Sequence, residues 1–424
     1  MAAAHGYKPR ALWWGDPTRR SYFPFAVQEA RSDILFAMGE WARAERVYDA
    51  CRERAAAFGM ADKKAHYDGT LGWLHFNTGR DETARGLIDG AVGHFTATGN
   101  KKELGKALNY LGSLHWRRGE YAKAIECFQR DLEISTEIGD QDGINSTTGN
   151  LGIVYNDMGD LDRAMEYYRR QEALSIEQNN RASLATAVGN MASVYLEWGD
   201  YARAEQCGKQ QLLIYQQLGE KQGIGIACNN IGTVCLLRGE YGAARDCFER
   251  QRRISEEIGD RMLLSIAWGD LGQVHAAQQD LHEASVLFDR AIAAQRELEL
   301  KYYLCHYLQQ KAELLSREGA IGEARAANAE ARAVAQEVGR RDVAFDADLL
   351  DARLTALSDP SRAIAALQAM ISGQLEPQRR AAILYALFPL TKDPAHQQAA
   401  CGLYRDLYQQ TPNILYQSRA GELS

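Results

Sequence analysis

The stretch NLGIVYNDMGDLDRAMEYYRRQEALSI, Asn150–Ile176, carries two helical periods broken by one glycine. Leu151, Val154, Tyr155 and Met158 fall at i, i+3, i+4 and i+7, the spacing that puts four apolar side chains on one face of an α-helix. Gly159 comes next, and a residue that ends a helix in the left-handed conformation is cheapest as glycine. Asp160 stands where a second helix begins, and a carboxylate there caps free amides and complements the helix dipole. Ala164, Tyr167, Tyr168 and Leu174 mark the buried face of that second helix, and Asn179 closes it. Gly152 and Ala164 are small, which predicts that the two helices approach closely there.

Outward from this stretch the same pattern returns every 40 residues. One column reads Gly39, Gly79, Gly119, Gly159, Gly199, Gly239, Gln279, Gly319. Five residues on, each copy has alanine, from Ala44 through Ala164 to Ala324. A third column reads Gly59, Gly99, Gly139, Asn179, Gly219, Gly259, Glu299, Gly339, and a fourth Gly72, Gly112, Gly152, Ala192, Gly232, Gly272, Ala312. The columns explain a composition that otherwise conflicts with helix: 37 glycines, yet no proline between Phe25 and Asp359. A hairpin of two amphipathic helices cannot bury its apolar face alone, so neighbouring copies must stack and share one core. The chain length of 424 residues, which by itself suggests several globular domains, then reads as one array of hairpins.

A helix hairpin with Leu-Gly and Tyr in the first helix, then Gly-Asp-Tyr, Ala three residues after that Tyr and two aromatics beyond, resembles the tetratricopeptide repeat, and Asn150–Ile176 is a close match. The resemblance covers about residues 25–344. It departs from the commonest form in its period of 40 and in lacking the closing proline. This variant is similar to the repeats of LGN/Pins-type polarity adaptors and of bacterial tetratricopeptide regulatory proteins. The resemblance implies an all-α fold, a right-handed superhelical solenoid of antiparallel hairpins with about eight regular repeats. Residues 1–24 are expected to cap the first hairpin, 25–344 to form the regular repeats, and 345–424 to add two irregular hairpins and a C-terminal cap.

No motif of phosphate-binding, zinc-protease, serine-hydrolase or dinucleotide-binding type is present, so no enzymatic activity and no cofactor are expected. His75, His115 and His275 share a column with Tyr155, Tyr195 and Cys235. Residues one repeat apart sit about 10 Å apart, too far for direct zinc bonds of about 2 Å. They are read as core, and no metal is expected. Cys127, Cys207 and Cys247 also share a column and read as small buried filler. The net charge of −7 argues against a nucleic-acid partner. No apolar run approaches the roughly 18 residues of a spanning helix and no secretory leader is seen, so a reduced, cytoplasmic setting without membrane insertion is expected.

In tetratricopeptide repeats the first helices line a concave groove. The groove columns that the resemblance implies here are Thr70, Tyr110, Asn150, Asn190, Asn230, Asp270, Gln310 and, three residues on, Trp73, Ser113, Ile153, Ser193, Thr233, Gln273, Glu313. Asparagine offers a carbonyl and two N–H donors, so a ladder of them can match a peptide backbone in either direction. Gly69, Gly149, Gly189 and Gly269 beside the ladder would let a ligand chain approach. The same asparagines can instead bond neighbouring helices; periodicity does not separate these readings. Nearby Lys106, Arg117, Arg130, Arg170 and Arg250 can attract an acidic segment to the groove, and each can equally belong to a solvated face. A chaperone-type carboxylate clamp is disfavoured, because Ser146, Thr186, Ile226 and Ile266 stand where its lysine belongs. The sequence therefore predicts a protein-interaction scaffold that holds an extended or helical partner segment. The anchors are Asn150, Asn190, Asn230 and Asp270, flanked by Trp73, Asn109, Tyr110, Ser193, Thr233 and Gln273. The alternative is a regulatory solenoid that senses a peptide or small ligand.

Overall fold

The computed structural model describes residues 25, 27–32, 35, 41–78, 80–372 and 375–424. The expected cap at 1–24 lies outside the described residues. From Trp41 on, the chain is a succession of α-helices: α1 (Trp41–Ala57), α2 (Ala61–Asn77), α3 (Asp81–Thr98), α4 (Lys101–Arg117), α5 (Tyr121–Ile138), α6 (Gln141–Asp157), α7 (Leu161–Glu177), α8 (Arg181–Glu197), α9 (Tyr201–Leu218) and α10 (Lys221–Leu237). They continue as α11 (Tyr241–Ile258), α12 (Arg261–Ala277), α13 (Leu281–Glu297), α14 (Lys301–Glu318), α15 (Ile321–Glu337) and α16 (Arg341–Ala356). The last four are α17 (Pro360–Ile371), α18 (Pro377–Thr391), α19 (Pro394–Gln410) and α20 (Ile414–Glu422). Helix starts repeat every 40 residues through α16, which begins at Arg341; the shorter α17, of 12 residues, is where the register is lost. No strand occurs among the described residues. They fall into two compact units that divide between Leu111 and Gly112, within α4.

The turns follow from backbone sterics. Gly159 and Gly199 sit at φ +81° and +74°, in the left-handed region. The non-glycine members of these columns adopt it too: Asn179, Gln279 and Glu299 at +52°, +66° and +54°. The geometry of the turn is thus imposed by the stack and not by the residue. Capping depends on side-chain length. Asp160, Asp200 and Asp280 accept from the amides of Arg163, Arg203 and Glu283. Glu120 and Glu240, one methylene longer, make no such bond. His115 and His275 each contact the acidic residue five positions on, Glu120 at 2.8 Å and Asp280 at 3.0 Å.

The core is a set of reciprocal size matches. In the second unit, a Cβ on Gly112, Gly152, Gly232 or Gly272 would meet the ring of Phe128, Tyr168, Phe248 or Phe288 at 2.5–2.9 Å. Where the second helix instead carries Gly208, the first carries Ala192, and a Cβ on Gly208 would strike Ile231 of the next hairpin at 2.9 Å. The alanine column, Ala124 through Ala324, is buried throughout. Each buried ring contributes about 2–3 kcal/mol of apolar burial, shared between neighbouring hairpins.

Candidate functional site: the inner helix face

In the second unit each first helix touches the next one: α6 meets α8, α8 meets α10, and so on through α12, α14, α16 and α18. The second helices α7, α9, α11, α13 and α15 make no comparable contact with one another. Two rows of helices can differ in this way only if the first row lies inside a bend and the second outside it. In α6, α8 and α10 the inner face is a stripe at i, i+4, i+8, i+11 and i+15 that packing leaves at least partly open, whereas in α12 the stripe positions Ile266 and Asp270 are buried, as is Leu350 in α16. In α6 it is Asp142, Ser146, Asn150, Ile153 and Asp157; in α8 Ala182, Thr186, Asn190, Ser193 and Glu197; in α10 Gln222, Ile226, Asn230, Thr233 and Leu237.

The predicted anchors fall on this stripe, with unequal freedom. Asn150, Asn190 and Asn230 are half-buried, as are Ser193, Thr233 and Gln273 one turn on. Asp270 is only 8% exposed. Its carboxylate accepts from Tyr307 Oη at 2.8 Å, Asn229 Nδ2 at 2.5 Å and Gln273 Nε2 at 3.1 Å. Burial, partly offset by the Tyr307 and Asn229 bonds, pushes its pKa up to about 6. Asn230 Nδ2 donates to Gln211 Oε1 at 2.9 Å, and Gln211 is 3% exposed. One hairpin earlier the equivalent atoms, Asn190 Nδ2 and Gln171 Oε1, are buried without a hydrogen-bond partner. Asn230 and Asp270 are therefore tied into the stack. Trp73, Asn109 and Tyr110 lie in the first unit, all half-buried, with the Trp73 and Tyr110 rings stacked at 5.0 Å.

Two sequence expectations are corrected. Gly149, Gly189 and Gly269 do not open a path for a ligand. A Cβ on the first two would land in the carboxamides of Gln171 and Gln211, and on Gly269 in the ring of Tyr307. Gly69, in the first unit, faces Ala91 at van der Waals distance. This column serves helix packing. Arg130, Arg170 and Arg250 belong to α5, α7 and α11, on the outer row, so they do not charge the groove. The inner face is instead acidic at the C-terminal ends of α6 and α8.

There Asp157 accepts from Trp116 Nε1 at 2.6 Å, and Glu197 stays open to solvent. Crowding by the inner wall raises the pKa of both; for Glu197 the carboxylates of Asp342 and Glu376 add to the effect. Arg340 acts on both from the turn between α15 and α16, but it is held by Asp342 through a bidentate pair at 2.8 and 2.6 Å and lies 4.3 Å over the Tyr302 ring. Burial together with Arg340 pushes His306 down to about 4, and burial raises Asp346 to about 6. Sequence columns miss this cluster because position 157 reads Asn77, Arg117, Asp157, Glu197, Leu237, Ala277, Arg317 across the copies, with no periodic chemistry to notice. The available signal was spacing: Asp157 and Glu197 lie seven residues, two turns, beyond Asn150 and Asn190. No group of metal-ligating side chains and no helix long and apolar enough to cross a membrane occurs among the described residues.

Comparison with known proteins agrees with this architecture. Residues 103–177, 143–217, 182–257 and 224–297 each match the tetratricopeptide repeat family. No curated protein matches the chain. Among solved structures, a Rap protein complexed with competence and sporulation factor is 12% identical, covers 86% of this chain and 100% of its own, and superposes with a TM-score of 0.57. The apo form of RapI is 13% identical, covering 65% of this chain and 99% of its own with a TM-score of 0.52. BtubC from P. vanneervenii is 21% identical over 53% of this chain and 92% of its own, at a TM-score of 0.41. With its hairpins in register, its left-handed turns and its family match, this chain carries tetratricopeptide repeats across residues 103–297.

Proposed function

We propose that the inner face of the second unit binds an extended or helical segment of a partner protein, and that this segment carries basic side chains. The observation that supports it most is the stripe itself: successive first helices present one aligned row of partly open polar and apolar side chains. Binding would rest on shape and hydrogen bonding, with no bond made or broken. Ser193, Thr233 and Asn190 supply polar contacts, Ile153, Ile226 and Leu237 apolar ones. Asp157 and Glu197 supply charge; neither forms an ion pair among the described residues, and Arg340, which acts on both, is engaged by Asp342. A charge left unpaired beside an apolar surface favours a cationic partner group. In this reading residues 25–344 supply the array and 345–424 continue it. A second reading, a solenoid that senses a peptide or small ligand, draws support from the Rap complex of similar fold. The test is selection of displayed peptides on the purified protein. Enrichment of Lys- and Arg-bearing sequences is expected, with binding lost as pH falls and Asp157 and Glu197 protonate. Enrichment of acidic sequences contradicts the charge assignment.

A further inference from the structure

The segment joining α19 to α20 crosses the turns of two hairpins more than 170 residues upstream in the same unit. Thr411 lies against Gly199: any Cβ there would land inside the Thr411 side chain. Ile414 lies against Gly239, where a Cβ would meet Ile414 Cγ1 at 3.0 Å. Between them Asn413 Nδ2 donates to Tyr201 Oη at 3.2 Å, while Asn413 Oδ1 caps α20 at the Leu415 amide. Tyr201, the first residue of α9, is 3% exposed.

The fit follows from the local sequence. Thr411 precedes Pro412, which disfavours helical backbone and forces extension; Thr411 is at φ −134°, ψ 108° and Asn413 at φ −84°, ψ 125°. Three extended residues span about 10 Å. Packed helices lie about 8–10 Å apart. Gly199 and Gly239 are equivalent positions on adjacent hairpins, so the step from Thr411 to Ile414 matches one step of the stack. Gly119 likewise approaches Val338 and Gly339 at 3.7–3.8 Å measured from an ideal Cβ. The coil of the second unit thus returns on its own turns at two places.

We propose that Thr411–Ile414 is a latch: it locks the turns at Gly199 and Gly239 together and holds the coil closed, and its release lets the coil open. The proposal stands whether or not the inner face binds a partner. The molecule contains its own control, because the turn at Gly159 has the same backbone hydrogen bonds and nothing packed over the glycine. Hydrogen exchange on the full chain, resolved at the amides of 159–160, 199–200 and 239–240, tests it. The latched turns should exchange about tenfold more slowly than the Gly159 turn. Ile414→Asp, which sets a carboxylate against the Gly239 turn, and Tyr201→Phe, which removes the acceptor of Asn413 and keeps the ring, should each abolish or reduce that difference. Equal exchange at all three turns in the unmodified protein overturns the latch. So does an undiminished difference in Tyr201→Phe and in Ile414→Asp with its helical circular dichroism intact. If Ile414→Asp does not fold, the unmodified protein and Tyr201→Phe decide the matter.

Discussion

Glu299 occupies a left-handed turn that its neighbours fill with glycine, and it is exposed with φ +54°. A side chain in that conformation costs about 1 kcal/mol or more. Glu299→Gly removes the strain at the expense of some unfolded-chain entropy, so it should stabilise the fold by about 0.5–1 kcal/mol, seen as a higher urea midpoint at unchanged slope. The opposite sign is expected at Asn230. Its Nδ2 satisfies the buried carbonyl of Gln211, and Asn230→Ala leaves that oxygen without a partner. A loss of about 1–3 kcal/mol follows. Asn190→Ala should cost less, because Asn190 Nδ2 and Gln171 Oε1 already lack partners. The same denaturation series compares the two. That result also shows why Asn230→Ala would be a poor probe of binding: it would weaken the fold and any partner contact together.

At the scale of the element, α12 holds a carboxylate inside the stack with three neutral donors and no cation among its hydrogen-bond partners. Asp270 has an ordinary pKa of 3.8 and is raised to about 6 in the fold. Within that window the folded state binds a proton that the unfolded chain does not, so this group's contribution to stability falls as pH rises from about 4 to 6. Asp270→Asn should remove that component, measured as a flatter difference in unfolding free energy between pH 4.5 and pH 7 than in the unmodified protein. The helices themselves were legible in the sequence because turn glycines, alanines and apolar stripes repeat at one spacing. Leu151, Val154 and Tyr155 fall inside α6 and are buried, and Ala164–Leu174 falls inside α7, but Met158, expected on the same apolar face, caps α6 and is exposed. The glycines at 149, 189 and 269 show the limit. A glycine facing a ligand and a glycine facing a buried glutamine leave the same mark, and only the position of Gln171 and Gln211 on the opposing helix separates them.

On the scale of the second unit, periodicity says that hairpins stack but not how tightly the stack bends. Asp157, Glu197, Arg340 and Asp342 come together because the bend brings the ends of α6 and α8 near the start of α16, a proximity fixed by pitch and invisible in any column. The same holds for Thr411–Ile414 over Gly199 and Gly239. The carboxylates at the ends of α6 and α8 oppose the charge expected from Arg130, Arg170 and Arg250, which the bend places outside, while Arg117 and Arg317 occupy the equivalent position of α4 and α14. Binding of a basic segment on the inner face is the central claim, and Ser193 and Thr233 test it with least damage. Both are half-buried on the stripe and neither holds another helix in place; the Thr233 hydroxyl bonds only Asn229 O in its own helix. The measurement is the affinity of the selected peptides for Ser193→Arg/Thr233→Arg beside the outer-face control Arg130→Glu/Arg170→Glu. The inner-face variant should bind at least about tenfold more weakly, a loss of about 1.4 kcal/mol, while the control binds like the unmodified protein. Full binding by the inner-face variant, with loss in the outer-face control, would contradict it.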